Sequence, residues 1–295
     1  MLTRGRFLTL LGMGCLGLAG VGGLALQSTF RFEVNRYRRV LPGLERPLRV
    51  VQLSDLHYGA WVHAASVQAW GQATNTENPD LIVITGDLVE FGLRLDWLRR
   101  IYQAATPDLD DLLAELGRLI APLRVYSIWG NHDNGLPEVK RYLGRRLPRQ
   151  GIEVLSNQGL WARDDLYLSG VDDYWAEEAN PRRSLSDYRR GKASLALAHN
   201  PDFWDFYQNL PVTLVLSGHT HGGQVYLPRV GAPWTPSYYG QSYLGGWYSP
   251  GLGPGSPPVP GFVSRGLGMT VLPLRINAPA ELVVFDFIPE GFQVG

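Results

Sequence analysis

Arg124-Val125-Tyr126-Ser127-Ile128-Trp129-Gly130-Asn131-His132-Asp133 is the stretch on which the reading of this chain turns. Its first part is a mostly apolar run that predicts a buried strand, and the tetrad behind it carries three polar, chemically capable side chains. A strand of a mostly parallel α/β sheet delivers whatever follows it to the carboxyl edge, where ligands in such folds bind. The same arrangement recurs. Leu48 to Leu53 runs into Ser54-Asp55-Leu56-His57, Leu81 to Ile84 into Thr85-Gly86-Asp87, and Leu214 to Leu216 into Ser217-Gly218-His219-Thr220-His221. Several predicted strands therefore end in Asp, Asn or His.

The chain has 295 residues, 45% of them hydrophobic, enough to bury one sizeable α/β core. Net charge is zero, but eight arginines against Glu33 and Glu45 up to Arg49 leave the remainder with a surplus of six acids, which argues against a nucleic-acid-binding body. Cys15 is the only cysteine, so an internal disulfide and a thiolate metal cluster are both excluded. Any metal must be held by oxygen and imidazole nitrogen.

Residues 1–30 read as a membrane anchor or export signal. Arg4 and Arg6 precede an uncharged, mostly apolar stretch from Phe7 to Leu26, just long enough to span a bilayer as a helix. Its glycines weaken it as an anchor, and Gly23-Leu24-Ala25 offers a cleavage site, so anchor and signal peptide both stay open. Arginines on both flanks leave the orientation open too, and the expected location is membrane-associated or exported. Residues 31–47 read as a linker and 48–290 as the folded domain.

Within that domain strands and helices alternate, which favours α/β architecture. Val62 to Thr74 predicts a helix. Thr106-Pro107-Asp108 predicts an N-cap with proline at the first helical position, opening a helix through Ile120. Ile152 to Leu155, Leu166 to Val171, Ser194 to Ala198, Met269 to Leu274 and Glu281 to Ile288 read as later strands, and Gly251 to Gly261 as a loop.

In an extended segment residues two apart point the same way, so Asp55 with His57, and His219 with His221, can each aim two ligands at one place. Asp87, Asn131 and His199 complete a set of seven oxygen or nitrogen donors. Two cations sharing one carboxylate take that many donors comfortably, at a separation of about 3.5 to 4 Å, and polarise a phosphoryl group between them. Mixed imidazole, carboxylate and amide ligation suits manganese, iron or zinc. His132 is placed to protonate the leaving group, with Asp133 as its orienting carboxylate. Each residue taken singly has a plainer role, as a helix cap, a turn anchor or a satisfied core histidine. His63, outside the set, reads as solvated.

Asp55-Leu56-His57, Gly86-Asp87, Gly130-Asn131-His132-Asp133, His199 and Gly218-His219-Thr220-His221 occur in an order and spacing that resembles the calcineurin-like metallophosphoesterases. Ser264-Arg265-Gly266-Leu267-Gly268 followed by Leu272-Pro273-Leu274-Arg275 looks like the membrane-associated bacterial branch, which includes exported phosphodiesterases and enzymes similar to UDP-2,3-diacylglucosamine pyrophosphatases. The resemblance covers Leu48 to Ile288. It implies a four-layer α/β/β/α sandwich of two mixed sheets, one metal held by Asp55, His57, Asp87 and His221, and a second by Asp87, Asn131, His199 and His219. The expected activity is metal-dependent hydrolysis of a phosphodiester or pyrophosphate on a lipid-linked or cell-envelope substrate, by a monomer tethered through its N-terminal segment. A membrane-tethered scaffold without turnover is the alternative. An insertion near Phe91 to Ala105, with Leu93, Trp97, Leu98, Ile101 and Tyr102 on one side of a helix, departs from the pattern and reads as a lipid-facing lip.

Overall fold

The computed structural model describes residues 31–91, 108–251, 257–271 and 273–292. Apolar residues at both alternations of a strand demand cover on both faces, and the chain supplies it by stacking two sheets. The first sheet has the order β1(Phe32–Val40), β12(Ala280–Ile288), β2(Leu48–Leu53), β3(Leu81–Ile84), β4(Val125–Ser127), β5(Ile152–Val154). Strands β2 to β5 run parallel, β12 runs antiparallel to β2, and β1 runs parallel to β12. The second has the order β10(Gly246–Tyr248), β11(Gly261–Val263), β9(Leu214–Ser217), β8(Ala193–Leu197), β7(Leu166–Gly170), β6(Gln158–Arg163), parallel except at β10 and β6.

Between the sheets lies one apolar layer, with Val50, Val83 and Ile128 from the first meeting Leu168, Leu195, Leu216 and Phe262 from the second. The neighbouring residues of the same strands, Val51, Ile82 and Ile84, face outward onto helices α1(Ala64–Thr76), α2(Leu109–Leu116) and α3(Pro137–Arg146) through Val67, Trp70, Leu112, Leu116 and Leu143. The outer face of the second sheet is covered more thinly, by the single-turn helix α4(Pro181–Ser184) and the 3-10 segment Pro201–Tyr207, whose Trp204 and Tyr207 are fully buried. The expected four layers are present, with the fourth built from short pieces.

Three readings of the sequence are corrected. The stretch taken as a linker contains β1: Phe32 and Val34 pack on the outer core and Tyr37 on the inner one, while Arg36, Arg38 and Arg39 suit a solvent-exposed sheet edge. Helix α2 is capped by Asp108, whose side chain accepts from the Asp110 amide, and it ends at Leu116, so it starts later and stops earlier than expected. Met269 to Val271 and Pro273 to Leu274 form bends and irregular backbone instead of a strand.

The insertion near Phe91 to Ala105, apart from Phe91 itself, and the apolar stretch at 7–26 lie outside the described residues. Among the described residues no helix is long and apolar enough to cross a membrane.

Candidate metal centre

Every candidate side chain stands just beyond the carboxyl end of a strand: Asp55 and His57 after β2, Asp87 after β3, Asn131 and His132 after β4, His199 after β8, His219 and His221 after β9. The two sheets therefore bring their carboxyl edges to one place. Asp55, His57, Asp87, His199, His219 and His221 are each at most 3% exposed.

The convergence does not come from extended chain, as the alternation argument expects. Asp55, His57, Asp87, His219 and His221 all have positive φ, between 48° and 73°. A non-glycine residue in that region costs on the order of 1 kcal/mol or more, and such outliers gather where a site needs them. Left-handed turns, repeated at five of the seven positions, fold the side chains inward. Gly86, at φ 93°, lets the backbone pass so near His199 Nδ1 that a Cβ would lie 2.6 Å from it. A Cβ on Gly130 would overlap the Asp87 carboxylate.

The donor atoms crowd one another. His57 Nε2 lies 3.0 Å from His221 Nε2 and 3.6 Å from Asp87 Oδ2, and His221 Nε2 lies 3.5 Å from Asp55 Oδ1. His199 donates its Nδ1 proton to the Thr85 carbonyl at 2.7 Å, which turns Nε2 toward Asp87 Oδ2 at 3.1 Å and His219 Nδ1 at 3.2 Å. The Asn131 side-chain oxygen is buried without a hydrogen-bond donor. Asp55, His57 and His221 form one grouping in which each offers an atom within 4.8 Å of the others, and Asp87, His199 and His219 form a second.

This donor set fits two hard or borderline divalent cations. Burial raises the Asp55 carboxyl, His199 offsets part of the rise, and Asp87 adds to it. Burial and neighbouring imidazoles push His219 and His221 well below the usual histidine range, so both are neutral, the form in which imidazole ligates metal. Crowded lone pairs, two buried carboxylates and an orphaned amide oxygen are what a bound cation would satisfy.

One residue of the site was missed in the sequence. Glu90, 1% exposed, turns one carboxylate oxygen to His57 Nδ1 and the other to His132 Nδ1, the latter at 2.9 Å, and Thr270 Oγ1 donates to it at 3.2 Å. Both imidazoles approach off the ideal hydrogen-bond line, as catalytic contacts often do before a substrate binds. His57, Glu90 and His132 form a third metal-like grouping. A carboxylate behind an imidazole of the donor cluster is the better description, because the other nitrogen of His57 already faces Asp55, Asp87 and His221. Asp133 is corrected accordingly: its oxygens accept from the Gly130 amide at 2.8 Å and the Val89 amide at 3.1 Å, so it ties the turn together and does not face His132.

Arg275 is also central, fully buried and donating to the carbonyls of Gly268, Ala278 and His221. The aromatic run after His221 splits in two. Tyr243 and Trp247 join the core, whereas Tyr238 packs on Trp175, which stands edge-on to His219 at 4.5 Å. His63 is exposed at the start of α1.

The sequence is similar to those of known proteins. Residues 48–223 match the family model described as calcineurin-like phosphoesterase. The uncharacterized metallophosphoesterase YkuE of Bacillus subtilis (strain 168) is 35% identical over 243 residues, 80% of this chain and 78% of its own. Phosphodiesterase YaeI of Escherichia coli (strain K12) is 29% identical, covering 98% of this chain and 100% of its own. UDP-2,3-diacylglucosamine pyrophosphatase LpxG of Chlamydia muridarum is 25% identical, with 82% and 84% covered. With the family model spanning more than half of the sequence and YkuE similar over most of it, the chain belongs to the calcineurin-like phosphoesterases, metal-dependent hydrolases of phosphoric esters or pyrophosphates that work with two divalent cations.

Proposed function

We propose that this chain hydrolyses a phosphodiester or pyrophosphate in a lipid-linked substrate at the cell envelope, using Asp55, His57, Asp87 and His221 to hold one cation and Asp87, Asn131, His199 and His219 to hold the other. The observation that carries this reading is the gathering of all seven donors at one carboxyl edge, most of them buried and five in left-handed backbone. When bound, the cations would polarise the phosphoryl group and lower the pKa of the attacking water.

The chain's own residues supply the rest. His132 protonates the departing oxygen, because an alkoxide leaving group needs a proton as the bond to phosphorus breaks. Glu90, facing Nδ1 of that ring, keeps a proton there and the other nitrogen turned away for proton transfer; the carboxylate beside the imidazole also lifts its pKa, against the pull of burial, to about 9. Glu90 orients His57 in the same way. The His132 amide donates to Asp87 Oδ1 at 2.8 Å, so the loop that carries the acid is tied to the shared carboxylate of the neighbouring strand end. Lipid linkage is supported by the apolar 7–26 stretch and by the similarity to LpxG, a UDP-2,3-diacylglucosamine pyrophosphatase.

The test is hydrolysis by the full chain in detergent of a soluble aryl phosphodiester and of a lipid-linked pyrophosphate, each with and without chelator. Chelator-sensitive turnover of both, with the lipid substrate preferred in kcat/KM, is expected. Turnover that survives complete metal removal, or a soluble diester preferred over every lipid-linked phosphate, would refute the proposal.

A further inference from the structure

Beside the site stand exposed apolar side chains that its chemistry does not use, Trp175 against His219 and Tyr238 packed on Trp175. Of the twelve large exposed apolar residues among those described, six fall within 226–239, the excursion that follows His221. Leu227 and Gly231 close a narrow hairpin with Val230 near its tip, 65% exposed. Trp234 is 65% and Tyr238 76% exposed, and Tyr238 packs on the half-exposed Trp175, the ring that stands against His219. Exposed apolar side chains concentrated on one loop that reaches a buried site mark a surface that binds something.

Two facts about the chain say what covers it. Strand β1 runs parallel to β12, and β12 runs antiparallel to β2, so Phe32 enters the sheet at the edge where β2 delivers Asp55. The uncharged apolar stretch ends at Leu26, and the five residues 27–31 reach at most about 18 Å even when extended. The chain therefore leads from its apolar segment directly to the rim of the site. The second fact is charge: no Asp or Glu occurs between His221 and Glu281, although the sequence after Arg49 is net acidic. A Trp- and Tyr-bearing segment that carries no acid of its own, with Arg229 in its hairpin and the neighbouring Asp205 bound by the Tyr239 hydroxyl, suits the headgroup region of an anionic bilayer, where aromatic rings settle.

We propose that the catalytic mouth faces the lipid bilayer and seats on it through Trp175 and the loop 224–239, so that a phosphate at headgroup depth meets the site without leaving the membrane. This rests on the lipid-linked reading above and adds the surface and the orientation. The 7–26 segment holds the protein near the membrane; the loop decides which way it points.

The test uses the full chain with Cys15→Ser, carrying an environment-sensitive fluorophore on Val230→Cys or on Ile120→Cys, which lies before β4 at the opposite edge. Each is reconstituted into phosphatidylcholine vesicles containing phosphatidylglycerol. At position 230 the emission should shift to the blue and be quenched by lipids bearing a nitroxide near the headgroup, while position 120 stays solvent-like. A solvent-like label at 230 in vesicle-bound protein overturns the proposal. Burial at 230 without lipid, rising with protein concentration, overturns it in favour of a second copy of this chain. Hydrolysis of a soluble diester, measured on the same samples, separates the two claims: retained hydrolysis with an unquenched label sinks the docking alone, and a quenched label without hydrolysis supports docking and sinks the hydrolase reading.

Discussion

Glu90→Gln is the most informative single change, because it preserves volume and removes one property. A carboxylate has two acceptor oxygens, and here one faces His57 Nδ1 and the other His132 Nδ1. Glutamine has one acceptor oxygen and an amino group that can only donate, so one imidazole must lose its partner or turn over its tautomer. A hydrogen bond to a charged group contributes about 1.5–3 kcal/mol, and partners that orient metal-ligating histidines are worth about 10- to 100-fold in metal affinity or activity. Losing one of the two contacts should therefore lower kcat/KM by about 10- to 100-fold. Which contact is lost can be read from a series of aryl phosphodiesters of rising leaving-group pKa alongside a metal titration. If the amide turns its oxygen to His57, metal affinity stays near normal and the loss grows with leaving-group pKa. If the oxygen turns to His132, affinity falls and all leaving groups suffer alike. A variant with wild-type rates across the series and wild-type metal affinity would refute the role given to Glu90.

His132→Ala should keep its metals and lose about 10²- to 10⁴-fold on esters with poor leaving groups, and much less on nitrophenyl esters; equal losses on both, measured by steady-state kinetics, would remove the proton-donor role. Gly130→Ala should disturb Asp87 through the overlap its Cβ creates, at a cost of about 1–3 kcal/mol, seen as a lower melting temperature together with weaker metal binding. Asp165 is buried and opposed by burial, yet Arg163 and the Glu45 and Arg46 amides hold its carboxyl below the usual range. A depressed folded-state pKa means its contribution is complete above the unfolded value of about 4 and fades as pH falls through the folded one. Asp165→Asn should thus cost about 1.5–3 kcal/mol at neutral pH, and the difference in urea midpoint from wild type should shrink in acid. A gap that stays constant down to the acid limit would contradict the assignment.

Much of this was legible because the same grammar repeats: an apolar run, then a short polar tail at the carboxyl edge. Asp55, Asp87, Asn131, His199 and His219 could each be found from the strand before them. Glu90 escaped because it follows Asp87 by three residues inside an apolar neighbourhood, Leu88-Val89 before it and Phe91 after. An acid flanked on both sides by residues bound for the core was the available signal, since burying it demands partners. Asp133 misled for the opposite reason: adjacency to His132 in sequence does not bring the side chains together when the turn folds the carboxylate back onto the Gly130 amide. Strand β1 was hidden by its arginines, which describe a protected sheet edge as well as they describe a linker. Strand β11 is three residues behind a Pro/Gly-rich stretch, too short to carry a period. The left-handed turns at the ligands could not be read from side-chain alternation, since only backbone geometry distinguishes them from extended chain.

Metal content at saturation, determined by elemental analysis on the full chain and on Asp87→Asn, tests the central claim most directly. The account predicts two divalent ions per wild-type chain and a loss reaching both in the variant, because Asp87 lies against Nε2 of both His57 and His199, one from each proposed metal position. One ion per wild-type chain, or an Asp87→Asn protein that keeps both, would contradict it.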